Sequence, residues 1–428
     1  MNRAMNREMS REMNDALQER IKADMACEFA RTGPPEGFPA FPDIPGGRYT
    51  SDEFYDLERQ HLWPKVWVLA GRAEDAPEPG DYFTFDDLGA PILLVRGADR
   101  VLRAFYNTCQ HRGAPVVRDA KGSARTLRCQ YHSWTYDITS GALVSVPDER
   151  DFVGLVKEQR CLNTISCEVW DGWVFVNQDP EARPLQEWFG PAFDELAQLD
   201  GPSLRVIGVR TEVIPCNWKV TAEAFMEVYH FRHIHSHKGE SALDNRGAAM
   251  GLFPNGSARM ITPFSRANCE ARGMKDWSDW QPFVTKGFPD IASVSAMARS
   301  TSTAYSLFPN LITPIASSGF PILMFWPLDI RTTRLDRIHV GIKDWEGPEP
   351  SPAWQKRMDL FEIIMEEDSR NMAPMQRSLE SPGMHGVPIN YQERRIWHFN
   401  EQIDRTIGAE RIPAALRVPE LLNDWVRG

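Results

Sequence analysis

Two cysteines and two histidines occur as two closely spaced groups in the first third of the chain. One residue separates Cys109 from His111, two residues separate Cys129 from His132, and 17 residues lie between the groups. Two thiolates and two imidazoles can bind a [2Fe-2S] cluster in which histidines replace cysteines on one iron. The same four donors can bind a structural zinc ion. Because zinc modules rarely place histidine second in both groups, the spacing favours the iron-sulfur cluster.

A second set of chemical groups follows Asn217-Trp218-Lys219. The sequence from Val220 to His230 predicts a helix, on which Glu223, Glu227 and His230 share one face at positions i, i+4 and i+7. Apolar residues flank this face, and carboxylates placed in an apolar surface need a cation, a histidine or hydrogen-bond donors. A metal site and a solvated polar face are both consistent with this pattern.

His230 has three neighbours that could complete a metal site, namely His233, His235 and His237. On a continuous helix His233 lies one turn away. His237 lies in line with His230 but about 10 Å distant, which is too far to share one ion. Helix geometry alone therefore does not select the partner of His230.

The late part of the chain supplies a candidate carboxylate. Ser351-Pro352 is a favourable helix start, with serine as the N-cap and proline in the first turn. Continuing the apolar stripe of this helix by three residues reaches Asp368, whereas Glu366 and Glu367 point away from it. Two imidazoles and one carboxylate form the facial triad of a non-haem Fe(II) oxygenase, which leaves positions for dioxygen. The alternative role for Asp368 is to pair with a buried arginine. The stripe consists of Trp354, Met358, Phe361 and Met365.

The residues around the cysteine and histidine groups resemble a known fingerprint. Arg-Gly follows His111 and Ser-Trp-Thr-Tyr follows His132, as in the Rieske segment of ring-hydroxylating oxygenases. The chain resembles the alpha, or catalytic, subunit of that family from about Arg48 to its C-terminus. The resemblance implies that Cys109, His111, Cys129 and His132 bind a Rieske [2Fe-2S] cluster.

The resemblance also selects the iron ligands. The family pattern is an acidic residue, two residues, histidine, four residues and histidine, which corresponds to Glu227, His230 and His235. The third iron ligand in the family is an aspartate in an acidic pair on a late helix, which corresponds to Asp368. This spacing requires the predicted helix to end or distort near residues 231 to 234.

A role for Glu227 and a trimeric assembly are implied as well. In the family the equivalent acid does not bind iron, but joins a cluster histidine of one subunit to an iron-binding histidine of the next. Glu227 is therefore expected between His132 of the partner subunit and His230, in a head-to-tail homotrimer to which a beta subunit can be added. The sequence departs from the family in having glutamate at 227, where some members have aspartate, and Ala224, where asparagine is common.

The fold follows from the strand patterns together with the resemblance. Short alternating runs between Gly80 and Val146 indicate antiparallel hairpins, with the cysteine and histidine groups at hairpin tips. Residues 305–311 and 321–326 predict two later strands, with a turn at 317–319. We expect an α+β protein with an N-terminal antiparallel β Rieske domain plus a C-terminal helix-grip catalytic domain. The expected boundaries are 1–47 for a helical arm and connector, 48–182 for the Rieske domain and 183–428 for the catalytic iron domain.

Residues 1 to about 31 are polar and helix-prone, and their apolar residues are spaced by four. Such a seam winds around a helix, which suits a helix lying obliquely across the body of the protein. An arm that clasps a neighbouring subunit is the alternative. The seam consists of Met1, Met5, Met9, Met13, Leu17, Ile21 and Met25.

Composition excludes several classes of protein. A net charge of −11 disfavours nucleic-acid binding. It therefore also disfavours a nucleic-acid-binding zinc protein. No apolar run reaches the length of a membrane span, and the N-terminus lacks the apolar segment of a secretory signal. Five of the seven cysteines lie outside the two groups and are scattered, which is typical of reduced thiols. A cytoplasmic protein is expected.

These inferences predict the terminal oxygenase component of a multicomponent Rieske system. It would use O2 to mono- or cis-dihydroxylate, or to oxidatively dealkylate, an aromatic or apolar substrate. Electrons from NAD(P)H are expected through a separate reductase or ferredoxin, because the chain lacks a Gly-rich dinucleotide fingerprint. The alternatives are a Rieske demethylase of a quaternary amine or betaine and a non-catalytic iron-sulfur electron carrier or redox sensor.

Overall fold

The computed structural model describes residues 2–237, 240–347 and 349–426, and within them the side chains of 15–236, 241–347 and 349–426. Contacts divide the chain into a small unit, residues 59–188, and a large unit that combines residues 1–58 with 189–428. The expected boundaries after residues 47 and 182 stay predictions. Within the described ranges, no helix has both the length and the apolar character needed to cross a membrane.

The small unit is built on an antiparallel sheet of seven strands. Phe83 lies opposite Leu94 and Phe105 lies opposite Leu93, so large apolar side chains pack against one another across neighbouring strands. The predicted hairpins between Gly80 and Asn107 are present. In sheet order the strands are Val68–Arg72, Trp173–Asn177, Thr164–Trp170, Leu102–Tyr106, Ile92–Arg96, Asp81–Phe85 and Lys121–Ser123.

A second sheet of the small unit positions the cysteines. Cys109 and Cys129 are buried in one apolar core with Leu93, Phe105 and Tyr136. The loops that carry the cysteines therefore rest on closely packed side chains, which restrict their movement. The three strands of this sheet are Leu127–Arg128, Thr135–Tyr136 and Leu143–Ser145.

The large unit contains a second antiparallel sheet of seven strands. The predicted turn at 317–319 lies between two of them. The continuous strand predicted over 305–311 is wrong, because one strand ends at Leu307 and the next begins at Leu311. Pro309 lies in the gap and has no N–H to donate to a ladder. In sheet order the strands are Arg205–Ile214, Thr332–Gly341, Phe320–Asp329, Leu311–Ile315, Thr301–Leu307, Ala258–Pro263 and Ala249–Leu252.

One long helix, Pro352–Leu379, packs against the edge strand of this sheet, Arg205–Ile214. It begins after Ser351 as predicted, and its residues Trp354, Met358, Met365 and Asp368 are buried. The buried Arg337 guanidinium joins this helix to the sheet, since it pairs with Glu362 at 2.6 Å and with Glu212 at 2.8 Å. The long helix is therefore fixed along its length by both apolar and ionic contacts.

The C-terminal helix, Arg394–Ile407, is buried along almost all of its length. A buried charge needs a partner, and this helix has them: Asp404 accepts from Arg48 at 2.6 Å, and Arg394 donates to Glu28 at 3.0 Å. Early and late parts of the chain thus share one core. The remaining α-helices are Asn2–Ala30, Gly47–Thr50, Asp52–Leu57, Leu185–Phe189, Pro191–Leu196, Trp218–Glu223, Phe231–Ile234, Arg266–Ala271 and Ala296–Arg299, and two short strand pairs join Ile44–Pro45 with Gly386–Val387 and Ser236–His237 with Glu240–Ser241.

The N-terminal helix, Asn2–Ala30, packs on the large unit in its described part. Ile21 and Met25 are fully buried, and Phe29 lies 5.1 Å from the ring of Trp277. This half of the seam contacts the chain's own body. The side chains of Met1, Met5, Met9 and Met13 lie outside the described residues.

Candidate metal centres

The two cysteine loops of the small unit have the same backbone geometry. In each loop the cysteine N–H donates to the carbonyl five residues later, and the N–H four residues later donates to the cysteine carbonyl, all at 2.9 Å. The residue at that fourth position has positive φ, 73° at Gly113 and 59° at Ser133. Glycine adopts this conformation freely, whereas Ser133 pays a steric cost. Each cysteine and its nearby histidine therefore lie on a loop, and the two loops have the same backbone geometry.

The four predicted cluster ligands converge at the tips of these loops. Cys109 and Cys129 are buried in the same apolar core. The rings of His111 and His132 are 4.7 Å apart, and His111 stacks on Trp134. The Nδ1 atom of His111 is buried without a hydrogen-bond partner among the described residues. A buried polar atom normally has a partner, so this nitrogen fits a metal ligand.

Tyr136, the last residue of the Ser-Trp-Thr-Tyr segment, is a neighbour of the cluster site to which the sequence analysis assigned no role. Its hydroxyl lies 3.3 Å from the Cys109 sulfur and accepts the N–H of Gln110 at 2.9 Å. Burial raises the pKa of the Cys109 thiol, while the contact with Tyr136 opposes that rise. A bound metal takes the thiolate form, so Tyr136 can stabilise a metal-bound sulfur.

The second site brings together the three predicted iron ligands of the large unit. The Nε2 atoms of His230 and His235 are 3.3 Å apart, and they lie 3.7 Å and 3.2 Å from the Asp368 carboxylate oxygen. Ligands bound at right angles to one metal at roughly 2.1 Å stand about 3 Å from each other. The three atoms therefore form one face of a coordination shell, and they form a candidate metal-binding group.

The histidines come from an irregular segment and not from the predicted continuous helix. The helix ends at Glu223, and a separate short helix, Phe231–Ile234, lies between His230 and His235. The carboxylate of Glu227 accepts the backbone N–H groups of Tyr229 and His230, the latter at 3.2 Å. A side chain that takes backbone N–H groups competes with helix hydrogen bonds, and this explains why no helix continues through Tyr229 and His230. The expected distortion over 231–234 was placed too late.

Glu223 does not join Glu227 and His230 in the metal group. It is buried, and it accepts hydrogen bonds from the Tyr49 hydroxyl at 3.0 Å and the Asn400 amide at 2.8 Å. Burial raises the pKa of Glu223 to about 7, although both hydrogen bonds oppose that rise. Glu223 therefore belongs to a buried hydrogen-bond network and not to the metal group. It also lines a cavity that adjoins the metal group.

Each histidine of this candidate group contacts a carboxylate through its other ring nitrogen. Glu227 hydrogen-bonds to Nδ1 of His230, and Glu367 hydrogen-bonds to Nδ1 of His235 at 2.8 Å. The expectation that Glu367 points away from the site is wrong. Burial lowers the pKa of His235, but Asp368 and Glu367 outweigh burial and raise it. Metal-binding histidines usually have such a partner. This rule could have identified Glu367 from the sequence, because Glu367 is the acidic neighbour of Asp368.

His233 does not join the group. His233 is exposed, and the side chain of His237 lies outside the described residues. His398 is buried in the C-terminal helix and contacts the carbonyl of Phe253 at 2.8 Å. His235 is therefore the partner of His230 within the described part of the large unit.

A cavity of about 370 Å³ lies beside the metal group. Its wall is mainly aliphatic and methionine side chains from residues 220–234, from the long helix and from residues 384–396. Such a volume and lining suit a small organic ligand. The lining residues are Tyr49, Val220, Glu223, Ala224, Glu227, His230, Ile234, Asp368, Asn371, Met372, Met375, Ser378, Leu379, Met384, Val387, Ile389, Glu393 and Ile396.

Comparisons with known proteins give relatives of the same kind. The alpha subunit of 2-aminobenzenesulfonate 2,3-dioxygenase from Alcaligenes sp. is 31% identical over 236 residues, covering 54% of this chain and 59% of that protein. The alpha subunit of benzene 1,2-dioxygenase from Pseudomonas putida is 36% identical over 188 residues, 42% of each protein. These alignments span about half the length of the curated relatives.

A solved structure extends the likeness of fold to most of the chain. The apo form of a quaternary ammonium Rieske monooxygenase is similar with a TM-score of 0.67 over 88% of this chain and 99% of that one. Its sequence identity is 21%, so the similarity concerns the fold. The predicted α+β architecture is confirmed.

Family models match both units. Residues 66–165 match the Rieske [2Fe-2S] domain, and residues 193–409 match the catalytic domain of the ring hydroxylating alpha subunit. The order of the two domains is the one that the cysteine and histidine motifs predicted. The chain therefore belongs to the ring hydroxylating alpha subunit family of Rieske oxygenases.

Proposed function

We propose that this chain is the terminal oxygenase component of a multicomponent Rieske system. It uses O2 and externally supplied electrons to hydroxylate or oxidatively dealkylate an aromatic or other apolar substrate. The observation that carries the proposal is the convergence of His230, His235 and Asp368 beside a cavity of about 370 Å³. An electron carrier or redox sensor requires only a cluster and has no need of this second group.

The cofactors follow from the donor sets. Cys109, His111, Cys129 and His132 would hold a [2Fe-2S] cluster, supported by two buried thiols and an unpaired buried imidazole nitrogen. The three ligands of the large unit would hold Fe(II), which when bound supplies open positions for O2. Imidazole and carboxylate donors suit that ion.

Glu227 is proposed to connect the two kinds of site between subunits. Its carboxylate already holds Nδ1 of His230. In a head-to-tail homotrimer the same carboxylate would face His132 of the partner subunit. The exposure of His132 supports this role, because a buried imidazole could not meet another chain. An added beta subunit is compatible with the same arrangement.

The electron source is proposed to be NAD(P)H acting through a separate reductase or ferredoxin. A small redox protein would dock on the surface of this acidic chain through a local patch of complementary charge. A cytoplasmic location remains a prediction that agrees with the free thiols found at all seven cysteines.

The charge of the cavity wall favours uncharged substrates over acids. None of the described lining residues is lysine or arginine. Among the buried cations of the large unit, Lys219 pairs with Glu58 and Arg48 pairs with Asp404, each at 2.6 Å. A substrate carboxylate would find no cationic side chain in the described wall, and burying an unpaired carboxylate is costly. This disfavours betaines as substrates. Demethylation of a quaternary amine without a carboxylate remains the second candidate.

The test is turnover of the purified holoprotein with a reductase, a ferredoxin and NADH. The panel would contain apolar aromatic compounds, their carboxylate analogues and alkyl quaternary amines, with products identified by mass spectrometry. We expect oxygenated products from the uncharged compounds and three irons per chain. Two irons per chain and no product from any compound would contradict the proposal and favour an electron carrier.

A further inference from the structure

Glu367 precedes the iron ligand Asp368 on the long helix. Successive helical residues point about 100° apart, so the two carboxylates leave the helix in different directions. Both nevertheless meet the same imidazole. Asp368 lies 3.2 Å from Nε2 of His235, and Glu367 lies 2.8 Å from its Nδ1. The ring of His235 is therefore held between two consecutive residues of one rigid element.

The backbone around His235 gives the ring little support of its own. His235 follows the last residue of a helix of only four residues, and its φ and ψ of −93° and 37° belong to neither helix nor strand. Its N–H donates to the carbonyl of Phe231 at 3.1 Å. That bond places the backbone but leaves the imidazole free to rotate about its side-chain torsions. The orientation of the ring must come from side-chain contacts.

Hydrogen bonding at Nδ1 also determines the tautomer of the ring. A carboxylate accepts and cannot donate, so Nδ1 of His235 carries the proton toward Glu367, which leaves Nε2 as the atom that can bind a metal beside His230 and Asp368. The carboxylate partner makes the imidazole more basic, and thus a better metal ligand. Glu227 has the same relation to His230, but it is nearly buried, whereas the Glu367 side chain is 38% exposed.

We propose that Glu367 is a positioning residue for the mononuclear iron, which fixes the rotamer and the tautomer of His235. The inference rests on the proposed function, because it takes His230, His235 and Asp368 as the iron ligands. It adds a residue that touches neither iron nor substrate. Removal of such a partner lowers metal affinity by roughly 10- to 100-fold.

The experiment measures iron binding and not turnover. Holoprotein is stripped of mononuclear iron by a mild chelator, and Fe(II) is titrated back anaerobically into wild type, Glu367→Gln and Glu367→Leu. The matched control is Glu366→Leu, which removes the preceding, exposed carboxylate of the same helix. Electron paramagnetic resonance of the Fe(II)-nitrosyl adduct reports the ligand arrangement, and visible absorption reports the cluster.

We expect the dissociation constant for Fe(II) to rise about 10- to 100-fold in Glu367→Leu, with a broadened nitrosyl signal. Glu367→Gln keeps an acceptor oxygen and should lie between wild type and Glu367→Leu. Glu366→Leu should match wild type, with unchanged thermal stability in all three variants. Equal affinity and an unchanged signal in Glu367→Leu would overturn the inference alone, as would an equal loss in Glu366→Leu. Failure of wild type to bind a third iron would overturn the proposed function as well.

Discussion

Tyr136 offers a direct test of how this chain sets the potential of its cluster. The Tyr136 oxygen accepts the Gln110 N–H, which leaves its own proton for the Cys109 sulfur at 3.3 Å. A metal-bound thiolate can only accept, so tyrosine must be the donor when the cluster is present. Burial raises the pKa of Tyr136, and the hydroxyl therefore stays protonated. Hydrogen bonds to cluster sulfurs raise the reduction potential.

The size of the effect follows from the charge of the acceptor. A hydrogen bond between neutral groups contributes about 1 kcal/mol, and one to a charged group contributes roughly 2 kcal/mol. Reduction adds one negative charge to the cluster, so the bond strengthens by about 1 kcal/mol. For a one-electron couple this corresponds to about 40 mV. Tyr136→Phe should therefore lower the reduction potential by about that amount.

The assay is a redox titration of the reduced-cluster electron paramagnetic resonance signal. The matched control is Tyr106→Phe in the same unit, which removes a hydroxyl that donates to Gln178 at 3.2 Å and does not contact the cysteines. Visible absorption must first show that Tyr136→Phe keeps its cluster, because the Gln110 N–H loses its acceptor. An unchanged potential in Tyr136→Phe, or an equal fall in Tyr106→Phe, would refute the reasoning.

Three further substitutions test separate parts of the large unit. Asp368→Ala should abolish turnover and the third iron while leaving the visible absorption of the cluster intact, and bleaching of that absorption would show a different role. Lys219→Met leaves the fully buried Glu58 without its partner at 2.6 Å, so it should destabilise the fold by about 3–5 kcal/mol, measured by thermal unfolding. The pKa of Glu223 is raised to about 7 from an ordinary value of 4.5, so the folded protein prefers the protonated carboxyl. The free energy of unfolding should therefore fall as pH rises from about 4.5 to 7. Relative to Glu223→Gln, wild type should lose about 3 kcal/mol over that window in denaturant titrations; equal pH profiles would contradict the pKa.

The cluster site could be located from sequence because its ligands are local. Each cysteine and its histidine lie within three residues of each other, so their spacing was enough to predict the four donors. The contact of Tyr136 with Cys109 depends on pairing between separate strands, which the spacing does not report. The hairpins that flank the loops were predicted because their alternation and turns are also local.

Features that join distant parts of the chain were not predictable in the same way. Arg48 and Asp404 are 356 residues apart in sequence, yet they form a buried pair. No periodic pattern in the sequence around Arg48 or Asp404 predicts that the two residues pair. Glu223 was grouped with the metal residues because helix periodicity placed it on their face. Its burial beside Tyr49 and Asn400 follows from packing and not from periodicity.

The candidate iron ligands show why periodicity predicted the position of one residue and not of the others. Asp368 belongs to a helix whose buried stripe fixes its direction, so backbone periodicity predicted where its carboxylate points. Glu227 takes the N–H groups of Tyr229 and His230, and His235 follows a helix of only four residues, so no single backbone period relates the two histidines. Side-chain hydrogen bonds replace the missing backbone constraint, through Glu227 for one ring and Glu367 for the other. In a metal site built partly on irregular backbone, the carboxylates that contact the histidine ligands therefore set the geometry of the rings as well as their charge.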